Sequence, residues 1–578
     1  MVSGDKIGKP SRIDPKIDPR IDPWDLASYG LLALLSIFAV ATFRDYGISN
    51  DEDVQHRYGA MIIAYYISGL LDRSLFEFKN LYLYGGLFDV VAVLLEKALP
   101  FDRYFIRHFL SGLIGVAGMA ATWATARLIG GPRTGFIAAA ALAVCGPWIG
   151  AMFNHTKDIP FAAAMMGATY FLLRISRELP NARWRHVLGF GLLLGAALGL
   201  RVMGLLLVGY AGIAVLLAAA NASRIYPTCG ERHRRAVAIL IRSSLCLIPA
   251  FALGYLIMIV FWPWAALSPL NPIRAIVSFA DFHYQIRTIF ADRIYDMAEV
   301  PWWYVPGYLA IKLPVVILGG AILALPFLVL EHFPEKWTPV FRRKCDQARN
   351  PGPAYFRRRK ILLIAFIAAF PLACEMILEG PAFSGVRHYS FLIPPLAVLA
   401  AFGFDAALRS LPFALLRTAA IAAIACLFLW EGATLVRLHP YEVMHYNVLV
   451  GGLDGASRQY VMDYWLNMLP EAMRELGAYL DRIEAREGVR RTYSVGICGE
   501  KFAFEHYADP RMQYTNGWLE ADFYISPTNM DCDRLVDGKT IVSIERFGAP
   551  IGIVKDRRGF VQAELNPLRW PKVLATPR

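Results

Sequence analysis

Four carboxylates lie close together in a polar segment, RDYGISNDEDVQHRY, that begins at Arg44. They are Asp45, Asp51, Glu52 and Asp53. A carboxylate can act as a general base when it is held at a dry site that water can still reach. The pair Asp51-Glu52 is therefore a candidate for removing a proton from a hydroxyl group. A solvated acidic loop is the alternative, and the composition of the segment does not separate the two.

A second group of polar residues lies in the motif FNHTKDIPF, residues 153–161. Asp158 opens a predicted helix, where a carboxylate can cap free backbone N–H groups, and Pro160 falls in the first turn. His155 and Asp158 could also hold a divalent metal, although two ligand types at this spacing do not form a metal signature. Capping and metal binding both stay open.

A third group lies in the motif SGVRHYSFLIPP, residues 384–395, at the outer entrance of a predicted span. Arg387 and His388 in this motif can anchor the span at lipid headgroups, or they can bind a lipid phosphate. The same two interpretations apply to further cations on the predicted outer side, which are Lys79, Arg201 and Lys312.

The composition indicates what kind of protein must position these residues. The 578 residues are 56% hydrophobic and 18% charged, and the mean hydropathy is +0.41. Several apolar runs of about 18 residues or more predict a multi-pass α-helical membrane protein. The net charge of +12 comes from basic residues in short loops, which indicates membrane topology rather than a nucleic-acid partner. The eight cysteines show no metal-ligand spacing.

The apolar runs predict eleven spans. They lie at about 24–43, 104–128, 134–150, 158–174, 187–220 (two short spans broken near Gly199), 237–262, 307–330, 361–377, 389–408 and 413–433. Residues 58–75 and 82–99 are predicted to be interfacial helices that lie along the membrane. The Lys and Arg residues of the N-terminal tail predict a cytoplasmic N-terminus, and an odd number of spans then places the C-terminal domain outside a plasma (inner) membrane.

Three parts of the chain follow from this pattern. Residues 1–23 form a cytoplasmic tail, 24–433 the transmembrane part, and 434–578 a small extracytoplasmic α/β domain. In that domain a helix is predicted at 470–487, and strands are predicted at 492–498, 521–526, 540–546 and 550–555, with a hairpin turn at 547–549. Cys498 and Cys532 either pair in an oxidising compartment or remain two buried thiols.

In their order along the chain, these motifs resemble those of the GT-C membrane glycosyltransferases. The particular branch contains the protein O-mannosyltransferases, that is dolichyl-phosphate-mannose-protein mannosyltransferases, and the aminoarabinose transferases. The resemblance covers about residues 24–433 and rests on Asp51-Glu52, on Asp158, and on the segments PWWYVPGYLAIKLP and GVRHYSFLIPP. The segment HPYEVMHYNVLVGG and the tripeptide DYW, residues 463–465, resemble the start of the outer region in bacterial members.

The resemblance implies an enzyme with the GT-C fold that moves a sugar from a polyprenyl-phosphate carrier to an extracytoplasmic lipid, glycan or protein by inverting transfer. Asp51 would be the catalytic base with Glu52 beside it, and Asp158 would orient the site or assist a divalent metal. The substrate-binding cations would be Arg387, Arg201 and Lys79, with His388 next to Arg387. Asp53 and His56 depart from the simplest family pattern, and their roles stay open.

Two other classes of protein remain possible from the sequence. A lipid or glycolipid transporter or flippase also needs many spans and intramembrane charges, but no inverted repeat is visible. An envelope scaffold or sensor would use the C-terminal domain, and the loop acids would be incidental. The enzyme interpretation makes a distinct geometric prediction, since it requires Asp51, Asp158 and the outer cations to line one cavity.

Overall fold

Long apolar helices form most of the chain up to Leu438 in the computed structural model, which describes residues 21–223, 229–280, 286–329 and 353–560. The first ten helices are α1 Pro23–Thr42, α2 Glu52–Ile67, α3 Leu87–Ala98, α4 Arg103–Gly130, α5 Pro132–Ala143, α6 Gly146–Ile149, α7 Ala151–Asn154, α8 Asp158–Glu178, α9 Trp184–Leu198 and α10 Leu206–Ser223. The next eight are α11 Cys229–Phe261, α12 Pro263–Leu267, α13 Asn271–Ala280, α14 Tyr304–Lys312, α15 Val315–Val329, α16 Pro353–Leu378, α17 Ile393–Ser410 and α18 Ala414–Leu438. Between α13 and α14 the strands β1 Arg287–Phe290 and β2 Arg293–Asp296 form an antiparallel hairpin.

The described residues contain eight helices that are long and apolar enough to cross a membrane, or up to ten if two bent helix pairs each count as one span. The bent pairs are α5 with α6–α7, at 73°, and α14 with α15, at 114°. The predicted count of eleven is not confirmed, because it also requires α9, which has only 15 residues. The predicted class, a multi-span helical protein, is confirmed. The predicted tail, residues 1–23, lies almost wholly outside the described residues.

Local chemistry explains the breaks in these spans. Pro314 separates α14 from α15 and lacks a backbone N–H, and the residue before it, Leu313, is extended as a residue before proline prefers to be. The chain also breaks after α9, where Arg201 is extended with φ −146° and ψ 141°. The predicted break near Gly199 is therefore present, and it places a charged side chain at the interruption.

The acidic segment is not a free loop. α2 begins at Glu52, six residues before the start of the first predicted interfacial helix, and α3 begins at Leu87 within the second. The start of α3 packs tightly on the break after α9, because a Cβ atom added to Gly85 would lie 2.1 Å from the carbonyl oxygen of Gly199. Glycine at both positions thus allows the two backbones to touch near Arg201.

The C-terminal region is a small α/β domain, as predicted. Its helices are α19 Gly452–Ala456, α20 Leu469–Glu487 and α21 Lys501–Tyr507. Its strands are β3 Tyr493–Ile497, β4 Met512–Tyr514, β5 Phe523–Pro527, β6 Lys539–Arg546 and β7 Ala549–Asp556. They form one sheet in the order β4-β3-β5-β7-β6, with β3 parallel to both neighbours and β7 antiparallel to both of its own.

Sequence pattern accounts for most of this domain. α20 buries an apolar stripe at helical spacing, which is Leu469, Ala472, Met473, Leu476 and Leu480. Phe547 and Gly548 both have positive φ in the β6–β7 turn, which matches the twist of the hairpin. Cys498 and Cys532 form a disulfide. The three-residue strand β4 was not predicted, because so short a run carries little pattern.

Candidate active site

Two aspartates and two arginines from four separate segments form one ion cluster. Arg387 donates from Nη2 to Asp51 Oδ2 at 2.7 Å and from Nε to Asp158 Oδ2 at 2.9 Å. The Nη2 atom of Arg201 forms an ion pair with Asp158 Oδ1 at 3.1 Å. Motifs that are far apart in the chain therefore meet at one place.

The two aspartates differ in how they face solvent. Asp51 is the N-cap residue of α2, yet its side chain caps no backbone N–H, so the carboxylate is free to face Arg387. The side chain of Asp51 is 44% exposed, whereas that of Asp158 is 2% exposed. Asp51 can therefore meet a substrate hydroxyl, and Asp158 can act only on its protein neighbours.

Asp158 does not cap its helix, so the capping interpretation does not describe its side chain. The N-cap of α8 is Lys157, and Asp158 is the first helical residue. Its carboxylate faces the guanidinium groups of Arg201 and Arg387. A negative charge in the first turn still interacts favourably with the helix dipole. Asp158 thus fixes both arginines at the start of α8.

Lys157 adds a cation that the sequence analysis did not single out. Its side chain is buried, and its Nζ atom lies 4.4 Å from the centroid of the Tyr84 ring. Burial lowers the pKa of Lys157, while Asp89, Asp51 and Asp158 favour its charged form. With Arg201 and Arg387 it gives the site one more positive than negative charge, which suits an anionic ligand. Its position directly before Asp158 in FNHTKDIPF was the available signal.

The other predicted substrate-binding residues are placed differently. His388 follows Arg387, and its ring packs edge-on against Phe383 at 4.6 Å between centroids. Lys79 is exposed in a turn, with φ 52°, and no contact within the described part of the chain joins it to the ion cluster. The structure therefore brings Arg201 and Arg387 together but does not bring Lys79 to them.

Glu52 does not lie beside Asp51 in the cluster. It is fully buried, and its Oε1 atom accepts a hydrogen bond from the backbone N–H of Ser49 at 2.9 Å and contacts His108 Nε2 at 3.1 Å. Successive residues of an α-helix point about 100° apart, so neighbours in sequence need not share a site. The predicted pairing of Glu52 with the base is replaced by a contact with α4.

A buried arginine next to His108 in the sequence, Arg107, connects the segment that carries Asp51 to the segment that carries Asp158. Arg107 Nη2 donates to Asp89 Oδ1 at 2.9 Å, to Thr156 Oγ1 at 3.0 Å and to Gln55 Oε1 at 3.1 Å. These partners belong to α3, to the turn before α8 and to α2. Arg107 thus ties the helix that begins after Asp51 to the turn that leads into Asp158. A charged residue inside an apolar span is the sequence signal for such a role.

The pair His155 and Asp158 does not fit a resident metal. Both oxygens of Asp158 face guanidinium groups, and His155 Nε2 is hydrogen-bonded to the Tyr464 hydroxyl at 2.9 Å. Burial lowers the pKa of His155 to about 3, so its ring is neutral. No group of three or more metal-ligating side chains occurs in residues 21–223, 229–280, 286–329 and 353–560. The Asp158 carboxylate is thus occupied by two guanidinium groups, and these two cations oppose a third at the same place.

The C-terminal region also reaches the ion cluster. The Trp465 ring lies 4.2 Å from Cζ of Arg387, within the range of a cation–π contact. Tyr464 contacts His155 from the same side. The tripeptide DYW is visible in the sequence, but no local pattern predicts its contact with Arg387.

An apolar cavity of about 590 Å³ lies between α3, α4, α8 and α9. Its lining is made almost entirely of hydrophobic side chains, among them Leu87, Phe88, Leu110, Ile114, Phe171 and Leu193. Pro160 and Leu200 also line it, and these residues lie within two positions of Asp158 and Arg201. The cavity therefore lies close in sequence to two residues of the ion cluster, but no side chain of the cluster is among those that line it.

Comparison with known proteins gives one family match. Residues 104–242 match the family described as dolichyl-phosphate-mannose-protein mannosyltransferase. The matched range contains Asp158 and Arg201 but neither Asp51 nor Arg387. The resemblance that the motifs indicate is confirmed over this range. No curated protein sequence matches the chain.

Several solved structures are similar to the chain. ArnT from Cupriavidus metallidurans bound to undecaprenyl phosphate aligns at 13% identity with a TM-score of 0.43, and its apo state aligns at 12% identity with a TM-score of 0.46. Both alignments cover 91% of this chain and 98% of the ArnT chain. The Archaeoglobus fulgidus oligosaccharyltransferase in the apo form aligns at 12% identity with a TM-score of 0.44, over 84% of this chain and 65% of that one.

Proposed function

We propose that this protein is a GT-C glycosyltransferase that moves a sugar from a polyprenyl-phosphate carrier to an acceptor outside the cytoplasm. The observation that carries the proposal is the meeting of Asp51, Asp158, Arg201 and Arg387 in one ion cluster beside an apolar cavity. The family match over residues 104–242 supports the same reaction class. A lipid, a glycan or a protein can each be the acceptor.

In the proposed reaction Asp51 is the general base. An acceptor hydroxyl oxygen attacks the anomeric carbon of the donor sugar, and its proton passes to the Asp51 carboxylate. The bond between the anomeric carbon and the phosphate oxygen breaks, and its electron pair leaves with the polyprenyl phosphate. A single displacement of this kind inverts the anomeric configuration. The exposure of Asp51 supports this role, since the base must reach a hydroxyl that enters from outside.

The surrounding cations stabilise the leaving phosphate. Arg201, Arg387 and Lys157 would face the charge that develops as the phosphate departs, in a site from which most water is excluded. Arg387 holds Asp51 and Asp158 at the same time, so it links the base to the phosphate side of the site. Asp158 keeps both guanidinium groups in place. No step needs a metal at His155 and Asp158, where the neighbouring charges disfavour one.

The apolar cavity suits the isoprenoid part of the carrier. Its lining is hydrophobic from α3 to α9 and includes Pro160 and Leu200, which lie close in sequence to Asp158 and Arg201. A lipid tail in this cavity would place its phosphate at the cations. The lipid-linked donor would then reach the site from the surrounding bilayer.

The orientation of the chain is a further part of the proposal. A cytoplasmic N-terminus and an external C-terminal domain place the ion cluster at the outer surface of a plasma (inner) membrane. The disulfide between Cys498 and Cys532 supports an oxidising compartment for that domain. Reporter fusions after Lys360 and after Arg578 should report opposite sides, and the same side for both would contradict this topology.

Mass spectrometry of envelope glycolipids and glycoproteins tests the function directly. Cells with the wild-type protein are compared with cells that lack it and with cells that carry Asp51→Asn at the same membrane level. We expect one glycosylated species to disappear in both of the altered strains. A transporter would instead leave the glycosylated product in the Asp51→Asn strain, and that result would overturn the proposal.

A further inference from the structure

We infer that the C-terminal segment Asp463–Asn467 is part of the donor site, with Trp465 as a positioning residue that acts through Arg387. The inference rests on the proposed function, because Arg387 has its role only if the site binds a lipid phosphate. It makes the extramembrane domain a structural requirement for donor use.

The segment is tied to the C-terminal domain just before its first residue, and its own turn leads into α20. Before it, the backbone N–H of Met462 donates to Asn529 Oδ1 at 3.0 Å, just after strand β5. At its other end, the buried Asp463 carboxylate accepts from the backbone N–H groups of Asn467 at 2.9 Å and of Met468 at 2.8 Å. These bonds form the turn that leads into α20. The segment is therefore continuous with the domain, through Asn529 on one side and α20 on the other.

The middle of the segment contacts the membrane part at the cluster. The Trp465 ring lies against the guanidinium of Arg387, whose Nε and Nη2 atoms point to Asp158 and Asp51. An aromatic face beside a buried guanidinium favours its charge without using one of its N–H donors. Trp465 can thus hold Arg387 while leaving its hydrogen-bonding edge to the carboxylates and the ligand.

Two further contacts hold the segment against the turn before α8. The Tyr464 hydroxyl contacts His155 Nε2 at 2.9 Å. Asn467 Oδ1 accepts a hydrogen bond from Asn154 Nδ2 at 2.5 Å. His155 and Asn154 immediately precede the turn that carries Lys157 and Asp158. The segment Asp463–Asn467 therefore contacts both Arg387 and the residues that lead into the turn with Lys157 and Asp158.

The packing of the segment on the first outer loop is equally close. A Cβ atom added to Gly47 would lie 2.8 Å from the Cα atom of Asn467 and 3.0 Å from the carbonyl oxygen of Leu466. Backbone meets backbone here, four residues before Asp51. Leu466 itself has a φ of 62°, in the left-handed region that a non-glycine residue seldom adopts. The surrounding contacts hold this conformation in place.

A graded series at Trp465 tests the inference on the purified full-length protein. Trp465→Phe keeps a weaker aromatic face, and Trp465→Met keeps apolar packing but has no aromatic face. Binding of radiolabelled polyprenyl phosphate is measured together with transfer at varied donor concentration. Trp518→Leu, which removes another tryptophan of the same domain away from Arg387, is the matched control.

We expect apparent donor affinity to fall in the order wild type, Phe, Met, with a loss of roughly 3- to 30-fold for the methionine variant, the range that one cation–π contact supplies. In an Arg387→Ala background, Trp465→Met should lower the apparent donor affinity by less than about twofold, because the effects of two residues that act through one another are not additive. If the methionine variant does not fold, the comparison of wild type with Trp465→Phe still tests the order.

Three results would overturn the inference. They are unchanged donor affinity in both Trp465 variants, equal losses in Trp465→Met and Trp518→Leu, and multiplied losses in the double variant. A wild-type protein that neither binds polyprenyl phosphate nor transfers sugar refutes the proposed function itself. The two failures are therefore distinguishable in one set of measurements.

Discussion

Replacing Asp51 with asparagine should abolish transfer while leaving the protein folded. Asparagine keeps the size of the side chain and can still accept a hydrogen bond from Arg387, but it cannot take a proton from an acceptor hydroxyl. General-base catalysis contributes about 100- to 10,000-fold to a rate. This range corresponds to about 3–5 kcal/mol of the activation free energy.

The effect of this substitution on stability is expected to be much smaller. The Asp51 side chain is 44% exposed, so its ion pair with Arg387 is screened by water and contributes about 1 kcal/mol or less to the free energy of unfolding. Arg387 also keeps its hydrogen bond to Asp158. The loss of rate therefore exceeds the loss of stability by a wide margin, and unfolding cannot account for it.

Asp158→Asn provides the contrast. This carboxylate is 2% exposed and faces two guanidinium groups, so its loss leaves Arg201 and Arg387 without a shared anion. Breaking a buried ion pair from one side costs about 3–5 kcal/mol. We expect a clear fall in melting temperature together with a loss of activity, so the two aspartates should separate a chemical role from a supporting one.

The assay compares transfer from a polyprenyl-phosphate-linked sugar with thermal unfolding for purified wild type, Asp51→Asn, Asp158→Asn and a control, Asp45→Asn. The control removes a carboxylate of the same segment outside the ion cluster. Near-normal transfer by Asp51→Asn at matched folded protein would refute the assignment of the base. A melting temperature for Asp158→Asn equal to that of Asp51→Asn would refute the supporting role of Asp158.

Three further predictions follow from individual contacts. Arg387→Lys should lower donor affinity about as much as Arg387→Ala does, because an ammonium group cannot bridge two carboxylates as a planar guanidinium does. A donor affinity for Arg387→Lys equal to that of the wild type, measured by donor titration, would indicate that Arg387 only anchors its span at the membrane surface. Glu52→Gln should lower the free energy of unfolding by about 1–3 kcal/mol, as expected for the loss of a buried charged hydrogen bond. The rate of transfer per folded molecule should stay the same. Chemical denaturation and a transfer assay on the same protein samples check both results. His439 bonds Asp45 and Glu442; burial lowers its pKa, but the hydrogen bonds and charges of these carboxylates raise it overall. The stability that protonated His439 contributes is therefore complete below its unfolded-state pKa of about 6.5, and it is lost as the pH rises through the raised pKa of the folded state. The melting temperature of the wild type should fall across this pH range, and that of His439→Gln should not.

The class of the protein and the order of its elements could be predicted because they depend on local sequence. Apolar runs indicate spans wherever they occur, and α20 follows from its own stripe of apolar residues. The break near Gly199 and the β6–β7 turn depend on residues within a few positions. The predicted number of spans is not confirmed, because α9 has only 15 residues and because two apolar runs are bent into helix pairs, one of them at Pro314.

The residue types of the candidate site were also visible in the sequence, since aspartate and arginine beside apolar spans are candidates for binding or catalysis as well as for anchoring at headgroups. Their grouping was not. Arg387 meets Asp51 across 336 positions, and no local pattern specifies such a contact. The direction of Glu52 depends on the start of α2, and Lys79 lies in a turn that does not lead to the cluster.

The sequence by itself thus determined which elements form and which chemical groups the chain carries, because helix, strand and span formation respond to neighbours along the chain. Only the tertiary structure decided that Trp465 contacts Arg387 and that Lys157 lies near Asp51 and Asp158, while Glu52 and Lys79 lie apart from the cluster. The physical reason is that side-chain direction and packing between distant segments fix these contacts. An ion cluster of this kind exists only where the helices that carry its charges are packed together.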